Sequence, residues 1–211
     1  MGNNRSLKHI IILVILGYFC FMLGNGIISL TIPDEVFYAQ IAKEMIKLHS
    51  WMTPYMFGQP QFEKPILLYW LLKIAFMIFG LTSFAARFFP ALFGMIGVLA
   101  TYFLGVWGFK DQKKALISAI VLMTSGLYLG LARTVFTDLI FSVFILLSLL
   151  SFYRGYSSVK RKGGGVLLFF VFAALAVLSK GPLGVIIPLL TVIIFLLIKR
   201  DLKFLFNRYS L

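Results

Sequence analysis

Acidic side chains are scarce in this chain: seven Asp and Glu stand against 20 Lys and Arg, giving a formal net charge of +13. Two histidines and a single cysteine, Cys20, exclude an internal disulfide and a Cys/His metal cluster. No Gly-rich phosphate loop is present, which disfavours a cytoplasmic enzyme acting on nucleotide sugars. Charged residues make up only 13% of the chain, too few to clothe a soluble domain. What fills the sequence instead is apolar: 61% hydrophobic residues, 17% aromatics and a mean hydropathy of +0.98. A chain of this kind is a polytopic membrane protein, and its basic excess reports on loop placement rather than on a nucleic-acid partner.

Apolar runs occur at 9–30, 65–80, 84–109, 114–131, 138–153, 165–179 and 182–198. Crossing the hydrocarbon core takes roughly 20 helical residues. The first run follows a short basic head (Arg5, Lys8), is too long for a signal-peptide core and is read as a retained helix. Cys20 lies within it and is expected to pack as a small hydrophobe. The 65–80 run is short and carries Lys73 near its middle, so it is read as a helix lying in the outer interface, with Lys73 snorkelling. That leaves about six transmembrane helices.

The charge distribution agrees with this reading. Arg5 and Lys8, Lys110, Lys113 and Lys114, Arg154, Lys160, Arg161 and Lys162, and Lys199, Arg200, Lys203 and Arg208 hold 13 of the 20 basic residues. With six spans all four groups face the cytoplasm, as the positive-inside rule requires. The 31–83 loop, the turn near 132–138 and the turn near 179–182 then share the outer side. "RKGGG" (161–165) reads as a flexible turn, and the chain reads as one transmembrane domain over 1–211 without internal repeats.

"PDEVFYAQIAKEMIKLHSW" (33–51) opens the outer loop as an amphipathic helix. Pro33 suits the first helical position, and Asp34 and Glu35 suit the first turn, where the helix dipole favours negative charge. Phe37, Ile41, Met45 and Leu48 form a stripe expected to lie on the membrane. His49 reads as a solvated or interfacial residue. The bland account of Asp34 and Glu35 is a dipole-stabilised pair. Against it, five of the seven acids fall on the outer side, and Asp138 sits at a span boundary, where a carboxylate needs a partner or a wet cavity.

"FEKP" (62–65) places Glu63 and Lys64 before a second helix start, and "LSKGPLG" (178–184) places Lys180 at a Gly-Pro break. Read blandly, these are surface caps. Read together, Lys64, Arg133 and Lys180 form an outer cationic set suited to a lipid phosphate, and Asp34, Glu35 and Asp138 supply carboxylates for proton transfer. Such a set fits group transfer from a lipid-phosphate carrier.

The motifs "IPDEVFYAQIAKEM", "FEKPILLYWLL", "FGLTSFAARFFPAL", "ARTVFTDLIFS" and "LAVLSKGPLGVIIP" resemble, in order and approximate spacing, the polytopic C-type glycosyltransferases, a superfamily that includes lipid A aminoarabinose transferases and protein O-mannosyltransferases. The resemblance covers about residues 9–200, and family members are more than twice as long, so these residues correspond to an N-terminal portion. It implies an all-α fold with about six transmembrane helices and two outer interfacial helices. It also implies inverting sugar transfer from a polyprenyl-phosphate (undecaprenyl-phosphate) donor to lipid A, another envelope glycan or a protein, on the outer side of a bacterial cytoplasmic membrane. Under it Asp34, accompanied by Glu35, falls at the catalytic acidic position and Asp138 at the second. Lys64 faces the carrier phosphate, with Arg133 and Lys180 assisting, and Glu63 is the candidate contact for a divalent metal, the one cofactor to consider. A lipid-linked anion transporter and a non-catalytic assembly subunit are the readings from other classes. The transporter reading is disfavoured because the charges lie at span ends rather than at the midplane.

Overall fold

The computed structural model describes residues 2–157, 162–201 and 204. Lys160, Arg161, Lys203 and Arg208, which the charge argument used, lie outside the described residues, as does the first position of the expected 161–165 turn. The chain forms two compact units, Met1–Ile140 and Phe141–Leu211.

In the first unit, helix α1 (Gly2–Gly17) continues into a π-helical turn, Tyr18–Met22. An irregular segment leads to α2 (Pro33–Lys47), a minimal hairpin of β1 (Tyr55–Met56) and β2 (Gln59–Pro60), and then α3 (Leu67–Phe79). The long α4 (Ser83–Phe109) is followed by α5 (Gln112–Thr124), α6 (Gly126–Ala132) and the start of α7 (Thr137–Tyr156). Local chemistry sets several boundaries. Pro33 occupies the first turn of α2, the Thr82 hydroxyl caps α4 by accepting from Ala85 N–H at 3.1 Å, and Asp111 caps α5 by accepting from Lys113 and Lys114 N–H.

α1 and α4 run antiparallel. The Tyr102 hydroxyl near the end of α4 lies 3.3 Å from His9 Nδ1, whereas Arg87 near its start reaches the carbonyls of Asn25 and Ile28 beyond α1. α5 and α6 are bent by 67° at Ser125. They nevertheless make one traverse: Ala115 packs against Gly105 late in α4, and Ala132 packs against Gly94 and hands the chain to Arg133, which bonds the π-helical turn after α1. The pair is thus a broken span rather than a loop that turns back. Side chains larger than hydrogen at Gly94 or Gly105 would meet Ala132 or Ala115 within 3 Å, so these glycines set how closely the helices approach.

Arg5–Met22, Ser83–Phe109, Thr137–Tyr156 and Gly163–Lys180 are long and apolar enough to cross a membrane, and the α5–α6 pair makes a fifth candidate. The expected sixth span forms α9 (Leu183–Ile198), whose 16 residues reach about 24 Å, short of the hydrocarbon thickness of about 30 Å. α3, with 13 residues, is shorter still, in line with its exclusion from the spans.

The second unit comprises α7 from Phe141, α8 (Lys162–Lys180) and α9 around Phe152, Val166, Phe169, Val192, Leu196 and Phe204. Here the structure corrects the expected glycine turn: Gly163–Gly165 lie within α8, and Gly165 sits against the backbone of Gly155 with no room for a Cβ. Gly165 serves close helix packing, whereas a Cβ on Gly164 would meet open space. The turn from α8 to α9 is at Gly181, where φ is +98°, followed by Pro182.

Candidate active site

The first turn of α2, the segment before it, the start of α4 and the turn between α6 and α7 meet at one end of the first unit. Arg87 is the hub. Its Nε and Nη2 donate to Glu35 Oε1 and Oε2 at 2.9 and 2.8 Å, and its Nη atoms also donate to the carbonyls of Asn25, Ile28 and Ser29. Glu35 Oε1 additionally accepts from Val135 N–H at 3.1 Å. Glu35 is fully buried and Arg87 nearly so. A planar guanidinium matched to a carboxylate is the arrangement in which buried charges are tolerated, because each polar atom finds a partner.

This geometry corrects the pairing of Glu35 with Asp34 as a catalytic carboxylate. Both Glu35 oxygens are held by Arg87, and the residue fastens three chain segments instead of facing a substrate. Asp34, one position earlier, is exposed. Arg87 itself was not among the expected site residues, yet a charge inside the apolar "FAARFFPAL" signals a buried partner.

Arg133, expected on a lipid phosphate, is likewise engaged with the protein. Its Nη1 and Nη2 donate to the carbonyls of Cys20 and Leu23 at 2.8 and 2.9 Å, where the end of the π-helical turn leaves acceptors unpaired. The guanidinium closes that helix end.

Asp34, Glu63 and Asp138 converge on Tyr38, which is almost wholly buried on α2. Burial first, then the charges of Asp34, Asp138 and Glu63, raise the Tyr38 pKa above the ordinary phenol value. Tyr69 on α3 packs against Tyr38 with ring centroids 6.1 Å apart, and its pKa is pushed up more strongly by burial, then by Tyr38 and Glu63. Asp34 from α2, Glu63 from the loop before α3 and Asp138 from the first turn of α7 thus each lie near enough to Tyr38 for their charges to act on it. Glu63 and Lys64 are both exposed. Lys180 belongs to the second unit, where it ends α8 and lies over the Phe141 ring at 5.8 Å.

Among the described residues, no three His, Cys, Asp or Glu side chains gather closely enough to hold a metal ion. The divalent ion considered for Glu63 thus finds no complete set of these ligands there, and no chemical step is derived through it.

Two other expectations change. Ile41 and Met45, expected on the membrane surface, are fully buried, together with Tyr38 and Ala42, on the side of α2 that meets α3. Lys73 does not snorkel. It is 3% exposed, donates to the carbonyls of Met45 and Ser50 at 3.2 and 2.8 Å, and lies 4.0 Å from the centre of the Trp51 ring. A cation at a helix C-terminus satisfies both unpaired carbonyls and the helix dipole. Burial lowers its pKa.

A multi-pass helical membrane protein with an exposed acid, Asp34, on a helix that follows the first span is the class this geometry defines. The family profile for dolichyl-phosphate-mannose-protein mannosyltransferases matches residues 63–208, and the chain belongs to that family. It is 32% identical over 200 residues to an uncharacterized protein of Aquifex aeolicus, covering 95% of this chain and 39% of that protein. It is 30% identical over 176 residues to the undecaprenyl phosphate-alpha-4-amino-4-deoxy-L-arabinose arabinosyl transferase of Edwardsiella ictaluri, covering 82% of this chain and 32% of that one. The fold matches the crystal structure of ArnT from Cupriavidus metallidurans in the apo state with a TM-score of 0.84 at 23% identity, covering 94% of this chain and 37% of that chain. The same protein bound to undecaprenyl phosphate matches with a TM-score of 0.82 at 22% identity, covering 96% of this chain and 37% of that chain. The chain therefore spans between three and four tenths of the length of these relatives.

Proposed function

We propose that this chain forms the donor-side part of a glycosyltransferase that moves a sugar from undecaprenyl phosphate to an envelope lipid on the outer side of a bacterial cytoplasmic membrane. The observation that carries the reading is that the fold leaves Asp34 exposed while it buries the neighbouring Glu35, with the charges of Asp34, Glu63 and Asp138 all felt at Tyr38. The names of the arabinosyl transferase relatives support a lipid-phosphate donor and an amino sugar.

In this mechanism the acceptor oxygen attacks the anomeric carbon while the bond from that carbon to the phosphate oxygen breaks. The configuration inverts, and polyprenyl phosphate leaves with the bonding electrons. Asp34 takes the proton from the acceptor, and Lys64 offsets the charge that gathers on the departing phosphate. Asp138 and Glu63 orient the sugar hydroxyls. Glu35, Arg87 and Arg133 are positioning residues that hold this end of the first unit in shape.

Replacing Asp34 by Asn in the intact protein tests the assignment. Loss of one general base is expected to reduce transfer by about 10²- to 10⁴-fold, with radiolabelled sugar on undecaprenyl phosphate as donor and extracted envelope lipid as acceptor. Transfer at the unsubstituted rate overturns the role of Asp34. Labelling of protein instead of lipid overturns the choice of acceptor.

A further inference from the structure

The face of α2 opposite the Tyr38–Met45 stripe borders a groove that no step of the proposed transfer uses. At 100° per residue, Val36, Lys43 and Lys47 lie on that opposite face. They border an open cavity of about 670 Å³ and an adjoining one of about 300 Å³, which share Gln40, Lys43, Phe76 and Leu81. Met77 and Phe57 add apolar wall to the larger cavity.

Glu44 also lines the larger cavity, but its oxygens are occupied. Oε1 accepts from Phe57 N–H and Gln40 Nε2, each at 2.9 Å, and Oε2 accepts from Gly58 N–H at 3.0 Å. Lys47 acts on Glu44 only through its charge, as the smallest of several influences. Among the described residues, neither Lys43 nor Lys47 forms an ion pair within 4 Å. Two exposed ammonium groups one helical turn apart thus stand over an apolar floor.

We propose that this groove binds an anionic membrane phospholipid, its phosphate held between Lys43 and Lys47 and an acyl chain laid along Phe76, Met77 and Leu81. Charge complementarity selects the headgroup, since a zwitterionic lipid would bring its own cation toward the lysines. The position on α2 selects a resident phospholipid over the polyprenyl-phosphate donor, because a donor phosphate here would lie on the opposite face of the helix from Tyr38. This inference does not depend on the transferase reading.

The test is lipid retention by the intact protein purified in neutral detergent, measured by native mass spectrometry with phosphatidylglycerol and phosphatidylcholine offered at equal amounts. Preferential retention of phosphatidylglycerol is expected, falling about ten-fold in the Lys43→Gln/Lys47→Gln variant. Both lysines are exposed, so that variant is expected to fold, and a melting temperature within the wild-type range checks it. Met77→Asp places a charge in the chain path and is expected to reduce retention while leaving both lysines in place. Equal retention of the two lipids, or phosphatidylglycerol binding unchanged in both variants, overturns the proposal. So does displacement of phosphatidylglycerol by undecaprenyl phosphate that itself depends on Lys43 and Lys47, which would make the groove the donor site.

Discussion

Asp34 and Glu35 are adjacent carboxylates in the first turn of one helix, and the fold treats them in opposite ways. Glu35 points into the protein, where Arg87 and Val135 N–H take both its oxygens; Asp34 stays exposed. The two side chains leave the helix 100° apart, and in the first turn of α2 only Glu35 meets the guanidinium of Arg87. The comparison shows that the two acids are not equivalent: Glu35 fastens three chain segments, whereas Asp34 is left at the surface. The same contrast holds between Lys73, buried on carbonyls, and Lys64, left exposed.

The largest expected effect comes from breaking the buried member. Arg87→Met leaves Glu35 buried without its cation, and loss of one partner of such a pair costs about 3–5 kcal/mol. A large fall in the thermal midpoint in detergent, or loss of folded protein from membranes, is the expected outcome. Glu35→Leu combined with Arg87→Leu removes both charges and is expected to recover much of that loss, because no charge is then left stranded. Asp34→Asn is expected to change the midpoint little, since it gives up only a helix-dipole interaction of about 0.3–1 kcal/mol. If Asp34→Asn and Arg87→Met destabilise equally, the contrast between the two acids fails.

A smaller loss is expected on the buried lysine. Lys73→Met keeps the apolar stem but leaves the Ser50 carbonyl without its donor and the Met45 carbonyl with only the Ser50 N–H, at a cost of about 1–3 kcal/mol. Because the ammonium joins the end of α2 to the 48–51 turn, amide hydrogen exchange should rise over residues 46–52 before the spans are affected. Unchanged exchange there would show that Trp70, which donates its indole N–H to the Trp51 carbonyl, holds the turn without help.

Much of this architecture is legible in the sequence, and the parts that are not have identifiable causes. Hydropathy locates the spans because a bilayer imposes both length and composition, and Pro33 marks the start of α2 correctly. The buried face of α2 was misjudged because a stripe chosen for apolarity, Phe37–Ile41–Met45–Leu48, cannot include a buried glutamate. The observed stripe runs Glu35–Tyr38–Ile41–Ala42–Met45. Arg87, deep within an apolar run, signals a buried partner but does not by itself say which acid that partner is. Arg133 could not be assigned from composition, since a guanidinium that closes a helix end and one that binds phosphate have the same chemistry and differ only in which acceptors the fold supplies. The bend at Ser125 has no proline to announce it, and Gly163–Gly165 read as a turn because a glycine run gives no sign of a neighbouring helix at backbone distance.

The smallest expected effect concerns Glu44, which ties the 55–60 hairpin to α2. Phe57 and Gly58 both have positive φ, 52° and 76°, so the turn needs an acceptor that gathers their two N–H groups. The hydrogen bond from Gly58 N–H, then that from Gln40, hold the Glu44 pKa below its ordinary value of 4.5. A carboxyl whose folded-state pKa is depressed stabilises the fold fully above its unfolded value, and that contribution is lost as the pH falls through the folded-state value. Hairpin order should therefore be constant down to about pH 4.5 and decline below it. Glu44→Gln should show the low-pH behaviour at neutral pH, read as faster amide exchange at Phe57 and Gly58 with little change in the global midpoint. Because Glu44 lies beside Lys43 and Lys47 and is only half-buried, a large global loss would mean that the hairpin is part of what holds α2 against α3, and the separation between a rigid inner face and an adjustable outer face of α2 would have to be given up.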